Sequence, residues 1–270
     1  MPELPEVETI KNSLQEICLN TSIINSQVHT YKLRYPVLAH LNNLITNRNI
    51  LAVERRAKYL ILKLANGYLL FHFGMTGRLY VSQQYHKNNH EHLTLQLANG
   101  FVISFCDPRR FGAVIWIDPP LEQHTLIKNL GIEPFSKIFQ PKYLYEKCRI
   151  RKISIKQLLM AGKVVVGIGN IYASEILFYS HIRPDRLTNT LSFEECKKIC
   201  KFTRLVLTKA IKAGGTSIKD FKNPKSGLGY FTQQLLVYGR AGQNCLQCHH
   251  IVLRITQNNR SSFYCPNCQR

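Results

Sequence analysis

Acidic residues are scarce. Asp and Glu number 16 against 36 Lys and Arg, so the 270 residues carry a formal charge of +20, and no carboxylate side chain follows Asp220. Such an excess calls for a polyanion, and nucleic acid, an anionic membrane and an acidic protein all satisfy it, because net charge bears on partners and not on fold. Long apolar runs are also missing. None reaches the ~18 residues of a membrane span, the best candidates being broken at Lys63, Asn66, Asn170 and Glu175, so no membrane partner is expected. Met1 to Glu8 holds three glutamates and two prolines, the reverse of the basic, apolar start of a secretory signal, so export is not expected. Internal repeats and low-complexity tracts are lacking. The nine cysteines are odd in number and four stand in Cys-x-x-Cys pairs, which argues against a disulfide framework and for a reducing, intracellular compartment.

What is present is a chain that can fold. Hydrophobic content of 45% with 10% aromatics suits a packed globule, and the length allows about two domains. Pro5, the early glutamates and the stripe Val7, Ile10, Leu14 and Ile17 predict a helix from about Pro5 to Ile17. The pattern then alternates: residues 59–64 and 68–71, and again 93–97 and 101–105, predict two hairpins turning at Asn66-Gly67 and Asn99-Gly100, in a β-sandwich or barrel. Pro119-Pro120 and the stretch from Gly131 to Pro141 close the β-rich part and predict a linker. From Ile153 to Ala213 the spacing is helical, ending in the stripe Cys196, Ile199, Cys200, Thr203, Val206, Leu207 and Ala210. The glycine-rich segment before Asn170 is either a plain helix connection or a phosphate-binding helix start capped by Asn170. In the acid-free end, Tyr230, Phe231, Tyr238, Phe263 and Tyr264 are interspersed with basic residues, which favours a folded, polyanion-facing surface over a tail.

Two constellations carry chemistry. Cys245-x2-Cys248 and Cys265-x2-Cys268, sixteen residues apart, have the spacing of a four-thiolate zinc site. One Zn²⁺ held by four sulfurs has no open position for water, so its role is structural, and residues 251–264 between the pairs predict a hairpin with Arg260 beside its turn. The remaining cysteines, 18, 106, 148, 196 and 200, are expected to be buried thiols. At the other end, removal of Met1 would give Pro2 a secondary amine with an ordinary pKa near 7.7–8.0, partly neutral at physiological pH. Its attack on a sugar C1′ gives an iminium, which labilises the 2′ proton and then the 3′ phosphate, and Glu3 is placed to protonate a leaving oxygen. Taken alone, the same residues are also simply a helix start.

The motifs at 1–8 (Met-Pro-Glu-Leu-Pro-Glu-Val-Glu), 56–59 (Arg-Ala-Lys-Tyr), 72–77 (His-Phe-Gly-Met-Thr-Gly), 107–112 (Asp-Pro-Arg-Arg-Phe-Gly) and 166–175 (Val-Gly-Ile-Gly-Asn-Ile-Tyr-Ala-Ser-Glu), with the terminal cysteine pairs, resemble the bacterial formamidopyrimidine-DNA glycosylases in type and order over nearly the whole chain. The resemblance implies an α+β multidomain fold: a β-sandwich with flanking helices over 1–130, a helix-two-turn-helix domain over 131–235 and a β-hairpin zinc finger over 236–270. It implies a monomer acting on damaged double-stranded DNA, in the bacterial cytoplasm at the nucleoid, with one structural Zn²⁺. The activity implied is bifunctional: excision of oxidised purines, 8-oxoguanine opposite cytosine and formamidopyrimidines, then β,δ-elimination at the abasic site.

Residue by residue, the resemblance implies Pro2 as nucleophile, Glu3 as general acid, Lys58 as proton donor in β-elimination and Arg260 as the residue assisting δ-elimination, with Glu6 and Glu175 in support. Met75, Arg109 and Phe111 fall on the wedge that fills the space of an everted base, although Met75 and Phe111 read without it would be core residues. His72, His90, Arg109, Lys152 and Asn170 fall on DNA contacts. Lys156, Ser217 and Tyr230 fall on positions that handle the lesion, the last two in a loop closing over the base. Leu4 and Phe111 favour the purine-directed branch. The alternatives are an endonuclease VIII-like enzyme for oxidised pyrimidines and a noncatalytic zinc-dependent protein that binds damaged DNA.

Overall fold

The stripe Val7, Ile10, Leu14 and Ile17 forms the buried face of helix α1 (Leu4–Cys18) in the computed structural model, which describes residues 2–216, 222–223, 227–228 and 234–270. Glu3 is the N-cap, and its N–H donates to the Glu6 carboxylate (2.9 Å), satisfying one of the open donors of the first turn. Strand β1 (Ser22–Val28) follows, then the short helix α2 (Leu41–Ile45) and strands β2 (Arg48–Arg56), β3 (Tyr59–Leu64), β4 (Gly67–His72), β5 (Arg78–Ser82), β6 (Glu91–Leu97), β7 (Val102–Cys106) and β8 (Ala113–Ile117). These eight pair antiparallel in the order β5-β7-β6-β1-β2-β3-β4-β8. The β1–β2 seam is short, joining only Ser22 to Asn49 and Ile23 to Arg48. Leu93, Leu95, Ile103 and Phe105 from one side of the seam share a core with Leu60, Leu62, Leu69 and Phe71 from the other and with the α1 stripe. Two four-stranded halves closed over one core make the expected sandwich.

The two hairpins form, but their turns differ. At Asn99-Gly100 the expectation holds: Gly100 takes φ +85° and its N–H donates to the Leu97 carbonyl (3.0 Å). At the other, Leu64 pairs directly with Gly67, so Ala65-Asn66 is the turn and Gly67 is already in β4, where a Cβ would lie 2.4 Å from the Trp116 ring. Cross-sheet packing, which local sequence does not carry, moved the turn by one residue.

By internal packing the chain divides into two units, Met1–Lys128 with Ala213–Tyr230, and Asn129–Lys212 with Phe231–Arg270. The first also contains α3 (Thr125–Lys128) and the short strands β9 (Lys222–Asn223) and β10 (Gly227–Leu228). The second holds helices α4 (Pro141–Arg149), α5 (Ile155–Met160), α6 (Asn170–Tyr179) and α7 (Phe193–Lys212), and the hairpin β11 (Leu253–Gln257) with β12 (Arg260–Tyr264). Helix α7 begins with a reciprocal cap, in which Ser192 N–H donates to the Glu195 carboxylate (2.8 Å) and Glu195 N–H to Ser192 Oγ (3.1 Å). Its stripe from Cys196 to Ala210 is buried as the spacing predicts. Helix α6 is buried from Ile171 to Phe178. The expected linker from Gly131 to Pro141 is instead packed: Phe139 is fully buried, and the Arg204 guanidinium donates to the carbonyls of Pro134, Ser136 and Phe139. A cation from α7 satisfies carbonyls that a proline-rich segment cannot satisfy internally. Among the described residues no helix is long and apolar enough to cross a membrane.

Candidate functional site

In the first unit the site is built on the start of α1. Pro2, Glu3 and Glu6 are buried, the two carboxylates at 2% and 1% exposure. Burying acids is costly unless donors surround them. Glu6 has such donors on both oxygens: Oε2 accepts the Glu3 N–H, while Oε1 accepts the N–H and the hydroxyl of Thr216 at 2.8 and 2.9 Å. One carboxylate therefore ties the N-terminus to the residue that leads into the expected capping loop. Ser217 and Tyr230 of that loop lie outside the described residues, as does Met1.

Lys58 sits in the two-residue turn between β2 and β3, after Ala57, whose φ of +56° is unusual for a residue with a side chain. Arg55 braces that turn: its Nε donates to Glu8 on α1 (2.6 Å) and its Nη1 to the Ala57 carbonyl (3.0 Å). The helix that starts at the buried prolines is thus connected to the lysine turn.

The two loops that carry Met75 and Arg109-Arg110-Phe111 meet backbone to backbone. Gly74 has φ +56°, and a Cβ there would lie 2.4 Å from the Phe111 carbonyl carbon, so only glycine allows this approach. Met75 (45%) and Phe111 (46%) are exposed, which rejects the core alternative for both. They stand at loop tips beyond the strands, and the Arg109 guanidinium stacks over the Phe111 ring at 4.7 Å. His72 is half-buried, with its ring 5.3 Å from that of Tyr59, and its Nδ1 accepts the Gly74 N–H (3.2 Å), which leaves Nε2 carrying the proton. Burial, then the cations Arg34 and Lys58, push its pKa down to about 4 against a smaller opposing effect of Asp107, so the ring is a neutral donor at physiological pH. His90 is exposed, with φ +58°. Arg34 and Asp107 were not picked out from the sequence. The aspartate opens the same motif as Arg109 and is one of few acids, which was the available signal.

In the second unit Glu175 is buried on α6, and its carboxylate accepts the N–H groups of Leu236, Val237 and Tyr238 at 2.9, 3.0 and 2.9 Å. Burial pushes its pKa up, opposed by those three donors and by Arg240. Its role here is to fasten the approach to the zinc module. Asn170 is not the cap. Gly169 holds that place, and Asn170 is the first residue of α6, with a buried Oδ1 that has no protein partner. Lys152 and Arg260 are exposed, Arg260 closing the turn Asn258-Asn259, whose φ values of 47° and 58° suit a tight hairpin. Lys156 is 2% exposed, and its Nζ donates to the Ser261 carbonyl and Ser262 Oγ at 2.8 and 2.7 Å. That amine anchors the strand beginning at Arg260 to α5.

Sγ atoms of Cys245, Cys248, Cys265 and Cys268 all lie within 4.8 Å of one another, with 3.9 Å between 245 and 268 and 3.3 Å between 248 and 265. Four sulfurs around a tetrahedral Zn²⁺ at ~2.3 Å would be about 3.8 Å apart, so the donor set fits the ion. Val252 and Phe263 of the hairpin segment pack with these cysteines against Phe178 of α6. The other five cysteines are buried, as expected.

Comparisons with known proteins agree along the whole chain. Three family models match in order: the formamidopyrimidine-DNA glycosylase N-terminal domain over 1–114, its H2TH domain over 130–222 and the zinc finger found in FPG and IleRS over 242–270. The formamidopyrimidine-DNA glycosylase of Rickettsia africae is 47% identical, covering 100% of this chain and 99% of its own, and that of Klebsiella pneumoniae is 44% identical, covering 100% of both. Among solved structures, MutM (FPG) from Thermus thermophilus superposes with a TM-score of 0.89 at 33% identity, covering 99% of this chain and 98% of its own. A mutant of the Lactococcus lactis FPG in complex with Fapy-dG-containing DNA gives 0.92 at 31%, covering 100% of both. Wild-type Lactococcus lactis Fpg has also been solved with DNA containing an oxidised pyrimidine, at 0.90 and 31% with full coverage of both chains. The chain belongs to the formamidopyrimidine-DNA glycosylase family.

Proposed function

We propose that this chain is a bifunctional DNA glycosylase and abasic-site lyase of base excision repair, acting on oxidised purines in duplex DNA in the bacterial cytoplasm. The observation that carries the reading is the buried Pro2-Glu3 pair at the head of α1, with Glu6 holding the Glu3 N–H, in a chain similar to this family from end to end. Once Met1 is removed, the Pro2 nitrogen attacks C1′ of the damaged nucleotide. The base departs with the glycosidic electron pair, the Pro2 nitrogen gives up its proton, and the C1′–O4′ bond opens as Glu3 protonates the ring-opening oxygen, leaving C1′ joined to Pro2 as an iminium. The resulting iminium draws electrons from the C2′–H bond; that proton leaves, and the 3′ phosphate is expelled, with Lys58 serving proton transfer. Arg260 assists loss of the 5′ phosphate in the second elimination.

Met75, Arg109 and Phe111 fill the space left by the everted nucleotide, the guanidinium hydrogen-bonding the orphaned cytosine. His72, His90, Lys152 and Asn170 contact phosphates. For Asn170, the first residue of α6, the side-chain NH₂ can donate to such an oxygen at the helix start. Lys156 acts on the lesion indirectly, by fixing the hairpin that carries Arg260. Glu6 and Glu175 secure the loop and the zinc module, and Ser217 and Tyr230 close over the base. The zinc ion, held by Cys245, Cys248, Cys265 and Cys268, keeps the hairpin folded and does no chemistry.

Borohydride trapping on an 8-oxoguanine duplex, with the mass of the mature N-terminus, tests this. A covalent adduct that disappears when Pro2 is blocked is expected, and strand cleavage undiminished with a blocked N-terminus would overturn it. Because a Lactococcus lactis relative has been solved with an oxidised pyrimidine in DNA, the same assay is run beside a thymine-glycol duplex. Faster cleavage of the latter would reassign the substrate to pyrimidines.

A further inference from the structure

Asp107 is fully buried in a chain poor in acids, immediately after β7 ends at Cys106. A buried carboxylate is tolerated only where donors replace its water. Here Oδ1 accepts from the Thr76 hydroxyl and from the Arg109 N–H (3.3 Å), and Oδ2 accepts the Gly112 N–H at 2.6 Å. These donors belong to the two loops that carry Met75 and Arg109-Arg110-Phe111. The backbone of Asp107 is tied as firmly: its N–H donates to the His90 carbonyl (3.0 Å), and its own carbonyl accepts from His92 Nε2 (2.8 Å) and the Arg110 N–H (3.2 Å). Arg110 itself sits at φ +55°, a conformation that persists only when neighbours over-determine it.

We infer that Asp107 is the positioning residue of the wedge: through Thr76, Arg109 and Gly112 its carboxylate locks both loops into one rigid piece, so that Met75 and Phe111 enter the duplex without first being ordered. The inference rests on the proposed wedge role of Met75, Arg109 and Phe111. Apolar tips exposed to solvent have little packing of their own to hold them. Ordering a loop residue at the moment of binding costs conformational entropy, and the carboxylate removes that cost in advance. A charged acceptor is suited to the task because hydrogen bonds to an ionised group are about twice as strong as neutral ones.

The test compares single-turnover excision from an intact 8-oxoguanine duplex with excision from one in which mismatches around the lesion have already relieved the cost of eversion. Thr76→Val removes, at nearly constant shape, the hydroxyl that donates to Asp107 and accepts the Arg109 N–H (3.3 Å), Asp107→Asn weakens all three carboxylate contacts, and Phe111→Ala is the wedge control. Rates are normalised to the fraction trapped by borohydride, so that misfolded protein does not count. For Thr76→Val and Asp107→Asn the ratio of intact to mismatched rates is expected to fall about tenfold, with Thr76→Ser restoring it. Should Phe111→Ala lower that ratio while Thr76→Val leaves it in place, the positioning role is overturned and the wedge stands. An unchanged ratio for Phe111→Ala overturns the wedge, and the inference with it. Should Asp107→Asn fail to fold, Thr76→Val and its serine rescue decide alone.

Discussion

His72 shows how a residue's surroundings set its chemistry. Its pKa of about 4 lies below the ordinary 6.5, so the unfolded chain binds this proton first. The stabilisation is therefore complete above about pH 6.5 and is lost as pH falls through 4, to a total of roughly 3 kcal/mol for a shift of this size. His72→Gln is expected to flatten that part of the pH profile of thermal unfolding; an unaltered acid limb would show that the ring does not titrate as described. Arg260 presents the opposite case, an exposed cation on a rigid turn. Arg260→Ala should weaken DNA binding and reduce the slope of log K against log salt by about one phosphate contact. No change in slope would remove Arg260 from the phosphate contacts. Both residues were legible as candidates from their motifs, but the lowered pKa of His72 was not, since burial and then the cations Arg34 and Lys58 act on it only through the fold.

Among the elements, the terminal hairpin depends most on something other than its own sequence. β11 and β12 have a small buried side, and their cysteines join a cluster with Phe178 and Val237. Removing Zn²⁺ with a chelator leaves no coordination to close the knuckles. Amide protection across residues 245–268 and DNA binding are both expected to be lost, while the β-sandwich keeps its own unfolding transition. Full binding by zinc-free protein would refute the structural role. The cysteine spacing predicted this element, including the position of Arg260. Its anchors escaped the sequence: Lys156 donates to Ser261 and Ser262 across more than a hundred residues, and Glu175 to the 236–238 segment acts over some sixty. Turn and cap positions were fixed less well, as Gly67 and Gly169 show, because a shift of one residue depends on what packs against it.

For the whole molecule, the charge of +20 on 270 residues sets association with DNA, which should weaken steeply with salt, as counterion release requires. Local pattern, composition and spacing determined the helical stripes, the hairpins, the zinc ligands and the family, since each of these is written within a short stretch of chain or as an order of motifs. The fold alone decided that Met75 and Phe111 stand exposed, that Lys156 is buried, and that Glu6 binds Thr216 and Asp107 holds two loops at once. Burial, hydrogen bonding and protonation are properties of a residue's neighbours in space, and here those neighbours lie far away along the chain.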